Sequence, residues 1–240
     1  MSRVSTIRRP HSGIYTVRDA ALYLRATTPP PEVPLKVWQR RRKEFIGPTS
    51  RHLYAWVRRS LDSSELSHLP REDLVLNFTD LVRLRMIVIM RSRGLPLSLI
   101  RHSEEYARQL TGNSQPFVTE MFWTNLSDIF LKWREFLVAA SKKGQLAMDF
   151  LEDYLMPVNH GLAFSPDERA EAWVPYEGVL IDPEIQFGAP CIAGTRIQTE
   201  AVWAFHEAGE PVQTLAEMYQ VDKRRIESAI EWEKTLERAA

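Results

Sequence analysis

Residues 188–197 read GAPCIAGTRI, in which two glycines enclose a short apolar run. The ending Gly-Thr-Arg is similar to part of a phosphate-binding loop, which instead places four residues between its glycines and a Lys before its Ser or Thr. Here five residues separate Gly188 from Gly194, and Pro190 between them lacks an N–H donor. Strand-like residues follow directly, so the pattern predicts no helix N-terminus at the loop. The stretch therefore predicts two tight turns around a short β segment, with the glycines where a Cβ or a negative φ would clash.

The flanking residues predict a short strand before this stretch and three helices after it. The strand is the apolar run VLIDP, residues 179–183, which ends at Asp-Pro. The first helix is expected to begin with Thr199 as its cap and to end at Gly209, with Val202, Phe205 and His206 on its apolar stripe. A second helix starts at Pro211, and Asp222 caps a third, which places four residues on one face: Ile226, Ala229, Ile230 and Glu233. This order predicts a helix-turn-helix core.

The front of the chain predicts another helix-turn-helix. From Tyr15, YTVRDAALYLRAT has Thr16 as a helix cap and an apolar stripe with helical spacing: Val17, Ala20, Ala21 and Leu24. Four prolines within 28–34 end this helix. A basic segment follows, and after a turn and cap at 47–49 the next helix has Leu53, Trp56 and Val57 on its apolar stripe. Four other residues of this helix are expected to lie largely off the stripe: Arg51, Tyr54, Arg58 and Arg59.

The middle of the chain is predicted to be mostly helical. Helices are expected at 77–94 and 96–112, then a short hairpin or wing around Thr124-Asn125 and a short helix before Pro157. Five residues of the first helix share one face: Phe78, Leu81, Val82, Arg85 and Ile89. The polar, Pro-containing segment from 160 to 176 predicts a domain boundary. The expected fold class is mainly α with short β hairpins, in two helix-turn-helix (winged-helix-like) domains, residues 1–165 and 176–240.

Formal charge is distributed unevenly along the chain, although it sums to zero. Residues 1–60 contain thirteen Lys or Arg against three Asp or Glu, a net charge of +10, and residues 61–110 are neutral. Residues 111–175 have five cations against nine anions and residues 176–240 have six against twelve, net charges of −4 and −6. This asymmetry favours a polyanionic partner for the front and a different partner for the back, with solvated surface charge as the alternative.

Composition excludes several classes of protein. The longest apolar run, 86–90, has five residues, whereas a span of a bilayer needs about 18 or more. The start of the sequence lacks the apolar region of a secretory signal. A single cysteine, Cys191, excludes an internal disulfide and indicates a reducing, cytoplasmic setting. No histidine or cysteine spacing typical of zinc is present, so neither a metal nor a cofactor is expected.

Cationic residues of the front are the candidates for DNA binding. Arginine reads guanine edges and tyrosine contacts phosphate when a helix lies in the major groove. The candidates lie on the second helix and in the basic segment before it: Lys36, Arg40, Arg41, Arg42, Lys43, Ser50, Arg51, Tyr54, Arg58 and Arg59. A solvated helix face is the alternative, and it is favoured for Lys223, Arg224 and Arg225 because the domain around them is acidic.

Nucleophilic catalysis would require Cys191 with His206 as its base. A thiolate enzyme also needs an orienting group and an oxyanion donor, and the sequence shows neither. A cysteine in an apolar β segment is usually a packing residue, so no catalytic residue is assigned.

Residues 179–233 closely resemble a bacterial domain-of-unknown-function family, in which a strand ending in Asp-Pro precedes G-x-P-x-[IV]-x-G-T-R-[IV] and a helical core. The matching residues are Asp182, Pro183, Gly188, Pro190, Gly194, Thr195, Arg196 and Gly209. That family is typically the antitoxin half of VapBC-like toxin–antitoxin pairs, whose toxin is a PIN-type ribonuclease. Through YTVRDAALYL, WVRRSL, NFTDLVRLRMIVIMRSRGLPLSLIR and GQLAMDFLEDYL, the front half resembles the MerR-type helix-turn-helix of long VapB antitoxins of the mycobacterial type.

This resemblance implies a non-enzymatic antitoxin that forms a homodimer, neutralises a PIN-like ribonuclease and represses its own operon by binding operator DNA. The acidic C-terminal domain is expected to complement the basic active-site rim of the ribonuclease. Within the loop, the Thr195 hydroxyl and an ion pair from Arg196 to Asp182 or Glu184 are expected to hold the chain in place. The alternative is a stand-alone MerR-like transcription regulator with no toxin partner.

Overall fold

The computed structural model describes residues 13–28, 48–60, 74–92, 97–124 and 161–240. In these residues the fold is mainly α with short β hairpins, which confirms the predicted class. The elements in chain order are β1 (Tyr15–Thr16), α1 (Val17–Thr27), α2 (Ser50–Ser60), β2 (Val75–Leu76), α3 (Phe78–Ser92), α4 (Leu97–Thr111), a 3-10 turn (Pro116–Val118), α5 (Glu120–Thr124), β3 (Leu162–Phe164), β4 (Ala170–Tyr176), β5 (Val179–Ile181), a 3-10 turn (Gln186–Gly188), β6 (Cys191–Ile192), α6 (Thr199–Glu207), α7 (Val212–Tyr219) and α8 (Lys223–Ala239).

Helix α1 begins and ends where its sequence predicts. The Thr16 hydroxyl accepts a hydrogen bond from the Asp19 N–H (3.1 Å), and the Asp19 carboxylate accepts one from the Thr16 N–H (3.3 Å). This capping box satisfies two backbone donors that a helix start otherwise leaves without partners. The predicted stripe of Val17, Ala20, Ala21 and Leu24 is buried. Helix α1 therefore presents that face to the core.

Helix α3 is buried along most of its length. The predicted face of this helix, which includes Arg85, is buried, and so are all other residues from 81 to 90, including Arg83. The Arg83 guanidinium makes a bidentate pair with the Glu104 carboxylate of α4, at 2.6 and 2.7 Å. The Arg85 guanidinium lies over the rings of Trp123 and Trp173, 5.2 and 4.6 Å from their centroids. The partners of these two arginines come from elements far away in sequence, so the buried charges join several segments of the core.

In the part of the chain that the structure describes, two antiparallel sheets connect the helices. Strand β1 pairs with β2, and the second sheet has the order β3-β4-β5-β6. The segment from 160 to 176, interpreted from sequence as a polar, Pro-containing domain boundary, includes β3 and β4 in its described part, 161–176. Strand β4 lies between the two predicted domains and continues into β5 through the turn at 177–178. The division into two domains stays a prediction.

The prediction of a hairpin or wing around Thr124-Asn125 is wrong for residues 116–124, the part that the structure describes. Residues Pro116–Val118 form a 3-10 turn, and Glu120–Thr124 form helix α5. Phe117 and Phe122 pack against each other in the core, with ring centroids 4.8 Å apart. The aromatic residues that suggested strands are therefore buried by a compact helical turn. Asn125 and the short helix predicted before Pro157 lie outside the described residues.

The last three helices enclose a small core of their own. Seven buried residues form it: Ile192, Val202, Leu215, Ala216, Ile226, Ala229 and Ile230. Asp222 occupies the predicted N-cap position of α8, although its side chain makes no capping hydrogen bond, and Gly209 follows α6 with a φ of +100°. Two expectations for α6 are wrong: Gln198, not Thr199, is its N-cap, and Phe205 is exposed because it lies outside the buried face.

Candidate functional site

The first turn of α2 presents polar residues to solvent. Ser50, Arg51 and His52 are exposed, whereas Leu53, Trp56 and Val57 are buried. The Thr49 hydroxyl accepts a hydrogen bond from the His52 N–H (3.3 Å), so Thr49 caps the helix as predicted. The His52 ring stacks on the ring of Trp56. Arg51 is thus fixed at its backbone while its guanidinium faces solvent.

The predicted DNA-contacting residues fall into three groups. Ser50 and Arg51 are exposed, as the prediction requires. Tyr54 is only 8% exposed and belongs to the core, so the expectation that its side chain lies away from the apolar stripe is wrong. It follows Leu53 on the helix and shares the wide buried face of α2. Arg58 and Arg59 lie on α2, but their side chains are outside the described residues, as are Lys36, Arg40, Arg41, Arg42 and Lys43.

The turn after β5 begins at the Asp-Pro pair. The Asp182 carboxylate accepts a hydrogen bond from the Glu184 N–H (2.8 Å), and the Asp182 carbonyl accepts one from the Ile185 N–H (2.9 Å). Pro183 is buried. These bonds reverse the chain at the end of the strand, so Asp182 has a structural role in the turn.

Three consecutive residues with positive φ continue this turn. Gln186, Phe187 and Gly188 have φ values of 49°, 56° and 85°, in the left-handed region that favours glycine. A Cβ on Gly188 would lie 2.1 Å from the Tyr15 hydroxyl oxygen, so the close approach of β1 to this loop requires a glycine. The Phe187 carbonyl accepts a hydrogen bond from the Ile14 N–H (2.9 Å). The loop therefore joins the C-terminal sequence motif to the start of β1.

The second turn follows β6 and contains the Gly-Thr-Arg sequence. Gly194 has a φ of +72°, which agrees with its predicted turn conformation. The Thr195 hydroxyl donates to the Ile192 carbonyl (2.8 Å) and accepts from the Ile197 N–H (3.1 Å), so it closes the turn as expected. Arg196 is exposed, and its carbonyl accepts a hydrogen bond from the Gln186 side-chain amide (3.1 Å). The predicted ion pair of Arg196 stays a prediction.

Cys191 is a buried residue of β6. Burial raises the pKa of its thiol to about 11. The charge of Arg196 lowers this pKa by a smaller amount, and the charge of Asp182 raises it. The thiol sulfur donates to the Ala189 carbonyl (3.3 Å). At neutral pH the residue is therefore a protonated thiol, the weakly nucleophilic form, and it packs against its neighbours.

A buried polar pair links α6 to α8, and sequence reasoning missed it. Thr199 is buried, and its hydroxyl donates to the Glu233 carboxylate. The Thr199 N–H donates to the Pro190 carbonyl (2.9 Å), so the motif proline also contacts this residue. Burial raises the pKa of Glu233 above its ordinary value, and the Thr199 hydroxyl opposes this shift. The sequence correctly placed Glu233 on the buried face of α8, but its partner Thr199 lies 34 residues away in the chain.

Helix α1 packs directly against α8, a second feature that the sequence did not reveal. Tyr23 of α1 lies beside Trp232 of α8, with ring centroids 6.1 Å apart. The Arg25 guanidinium donates to the carbonyls of Ala239 and Ala240 and, through its other nitrogens, to the Pro48 carbonyl. One arginine therefore joins the end of α1, the segment before α2 and the end of α8.

The cations at the start of α8 are all engaged locally. Lys223 lies 3.7 Å from Glu227, and Arg224 lies 2.8 Å from Glu177. Arg225 donates to the Ala193 carbonyl next to the second turn. Lys223 and Arg224 are exposed, as the interpretation of residues 223–225 as a solvated helix face expects, whereas Arg225 is half-buried. In the described residues, no group of three or more His, Cys, Asp or Glu side chains is arranged to hold a metal ion.

Comparisons with known proteins identify a family and a fold that this chain resembles. Residues 179–232, which extend from β5 into α8, match a family described as "Protein of unknown function (DUF433)". None of the curated proteins matches the sequence. Among solved structures, the crystal structure of Rv2018 from Mycobacterium tuberculosis is similar over 90% of this chain and 96% of that chain, with a TM-score of 0.62 and 18% sequence identity. This likeness shows a shared fold. Within the described residues, no helix has the length and apolar character needed to span a membrane.

Proposed function

We propose that this protein is a non-enzymatic, cytoplasmic antitoxin that neutralises a PIN-like ribonuclease by direct binding and, as a homodimer, represses its own operon by binding DNA. The resemblance to long VapB-type antitoxins supports this proposal. The observation that carries it is the opposite charge of two regions that pack against each other through α1 and α8.

The C-terminal region has an excess of carboxylates that its own cations do not neutralise. Residues 176–240 contain twelve Asp or Glu and six Lys or Arg. Five of these six cations already contact carboxylates or carbonyls within the region: Lys223, Arg224, Arg225, Lys234 and Arg238. A ribonuclease must attract a polyanion and therefore needs a basic rim around its active site. An acidic protein surface is complementary to such a rim.

The front region supports the second part of the proposal. Residues 1–60 have a net charge of +10, and among the described ones Arg18 and Arg51 are exposed. Arg51 lies in the first turn of α2, the part of a recognition helix that reaches the bases when the helix enters the major groove. Phosphate and base contacts by such cations bind DNA in a strongly salt-dependent way.

Binding of the upstream DNA of the gene tests the repressor activity. We expect affinity to fall steeply with salt concentration, and the double variant Arg51→Ala/Arg58→Ala to lower the slope of log K against log [salt] by about 2. Arg101→Ala, which removes an exposed cation of α4, is the control and should leave the slope unchanged. Binding that does not depend on salt, or that the double variant leaves intact, would contradict the repressor activity.

Co-expression with a PIN-like ribonuclease encoded beside the gene tests the antitoxin activity. We expect the two proteins to purify as a complex and the full chain to restore growth of cells that produce the ribonuclease. A ribonuclease that remains toxic and unbound in the presence of the full chain would contradict it, and operator binding alone would then indicate a stand-alone regulator.

A further inference from the structure

Helices α6 and α7 carry negative charge and contain neither lysine nor arginine. Residues 197–222 contain no Lys or Arg and five acidic residues: Glu200, Glu207, Glu210, Glu217 and Asp222. All five are exposed. The net charge of this span is −5, against −6 for the whole of residues 176–240, because all six cations of that region lie outside the span. The exposed charges of this span are therefore all negative, and Lys223 and Arg225 lie beside its end, in the cleft that Glu217 and Asp222 line.

Two large apolar side chains are exposed on the same pair of helices. Phe205 of α6 is 46% exposed and Met218 of α7 is 50% exposed. The inner faces of these helices, with Val202 and Leu215, already form the core, so Phe205 and Met218 are not needed there. An exposed phenylalanine and methionine on one small helical unit indicate a contact surface.

Acidic residues are close in the chain to both apolar residues. The Glu210 N–H donates to the Phe205 carbonyl (3.1 Å), which brings the backbone of Glu210 to the backbone of Phe205. Glu217 precedes Met218 on α7, and its carboxylate accepts a hydrogen bond from the Gln213 amide (2.8 Å). A partner must therefore offer apolar contact together with cations. DNA, RNA and anionic membranes are repelled by this charge.

We propose that the outer face of α6 and α7, with Phe205 and Met218 as its apolar anchors, is the docking surface for a cationic protein surface. This inference rests on the proposed function, under which the cationic surface is the RNA-binding rim of the ribonuclease. Helix α8 packs against α6 and α7 and also against α1. The docking surface therefore lies on helices other than the predicted DNA-binding helix α2.

The affinity of the full chain for the ribonuclease encoded beside its gene, measured by calorimetry, tests the anchors. The double variant Phe205→Ser/Met218→Ser is expected to weaken binding by about 30-fold or more, because truncated anchors at the centre of an interface cost most of its affinity. Val75→Ser/Val174→Ser is the matched control, since these residues are 46% and 43% exposed on β2 and β4. The control should bind within about threefold of the wild type.

Association rates test the charge. The triple variant Glu207→Gln/Glu210→Gln/Glu217→Gln is expected to lower the association rate about tenfold at low salt and to flatten its salt dependence. The control replaces three exposed carboxylates outside α6 and α7 by glutamine: Glu120, Glu168 and Glu171. Equal effects of the two triple variants would overturn the assignment to α6 and α7.

The outcomes separate this inference from the proposed function. If the wild type binds the ribonuclease and the α6–α7 variants bind equally well, the docking surface is wrong and the proposed function stands. If the wild type does not bind the ribonuclease, the proposed function fails, and a fluorescein-labelled peptide of alternating arginine and leucine becomes the probe. Binding of the peptide that both α6–α7 variants weaken supports the surface. Equal binding to all variants, or a DNA duplex that binds at Phe205 and Met218, overturns it.

Discussion

Replacing Gly188 by alanine tests how the motif loop is held against β1. The residue has a φ of +85°, and an alanine there pays the left-handed conformational cost of about 1 kcal/mol. Its Cβ would also lie 2.1 Å from the hydroxyl oxygen and 2.7 Å from Cζ of Tyr15, a residue that is buried and cannot swing into solvent. Overpacking of this kind costs about 1–3 kcal/mol. We therefore expect Gly188→Ala to lower the free energy of unfolding by about 3 kcal/mol in total.

Urea unfolding of the full chain measures this cost, and two further variants separate its causes. Gly112→Ala is the control for conformation alone, because Gly112 has a φ of +69° and open space around it, so about 1 kcal/mol is expected. The Tyr15 hydroxyl is buried without a hydrogen-bond partner in the described residues, so Tyr15→Phe alone should be neutral or stabilising. In the double variant, Tyr15→Phe should recover part of the loss. The close approach of Gly188 to Tyr15 would be refuted if Gly188→Ala lowered the free energy of unfolding no more than Gly112→Ala does. It would also be refuted if Tyr15→Phe recovered none of the loss in the double variant.

Three other predictions concern buried side chains. Burial raises the pKa of Glu233 above its ordinary 4.5, so the free energy of unfolding should fall as the pH rises from 4.5 through the raised value. Glu233→Gln should remove this fall. The same pH dependence of the unfolding free energy in the wild type and in Glu233→Gln, between about pH 4 and 8, would contradict the prediction. Arg25→Met should speed hydrogen exchange at the end of α8, since the contacts with Ala239 and Ala240 are lost, and unchanged exchange would disprove the link. Cys191→Ala should leave ribonuclease and DNA binding unchanged, because the buried thiol only packs, and a loss of either would give it another role.

Local patterns explain what the sequence could predict. The capping box of Thr16 and Asp19 lies within four residues, and the buried face of α8 follows from helical spacing alone. The turns at Gly188 and Gly194 follow from residue types that tolerate positive φ. Features of this kind depend on near neighbours in the chain, which a sequence displays directly.

Contacts between distant residues explain what the sequence could not predict. Arg25 contacts a carbonyl 214 residues away, and Thr199 contacts a carboxylate 34 residues away. Strand β4 was not predicted, because the polar, Pro-containing segment from 160 to 176 was interpreted as a domain boundary. Its Pro175 lies between Trp173 and Tyr176, where the pairing of β4 with β5 is irregular. A strand tolerates proline at such a position. The apolar stripe of α6 was drawn too wide at Phe205, because spacing alone does not show which side of a helix the core covers.

Hydrogen exchange of the full chain, alone and with each partner, tests most directly whether the ribonuclease and DNA bind to two separate surfaces. With the ribonuclease, we expect slower exchange in Thr199–Tyr219 and no change in Ser50–Ser60; with operator DNA, we expect the reverse. Slower exchange of Thr199–Tyr219 on DNA, or of Ser50–Ser60 on the ribonuclease, would contradict the separation of an anionic docking surface from a cationic DNA-binding helix.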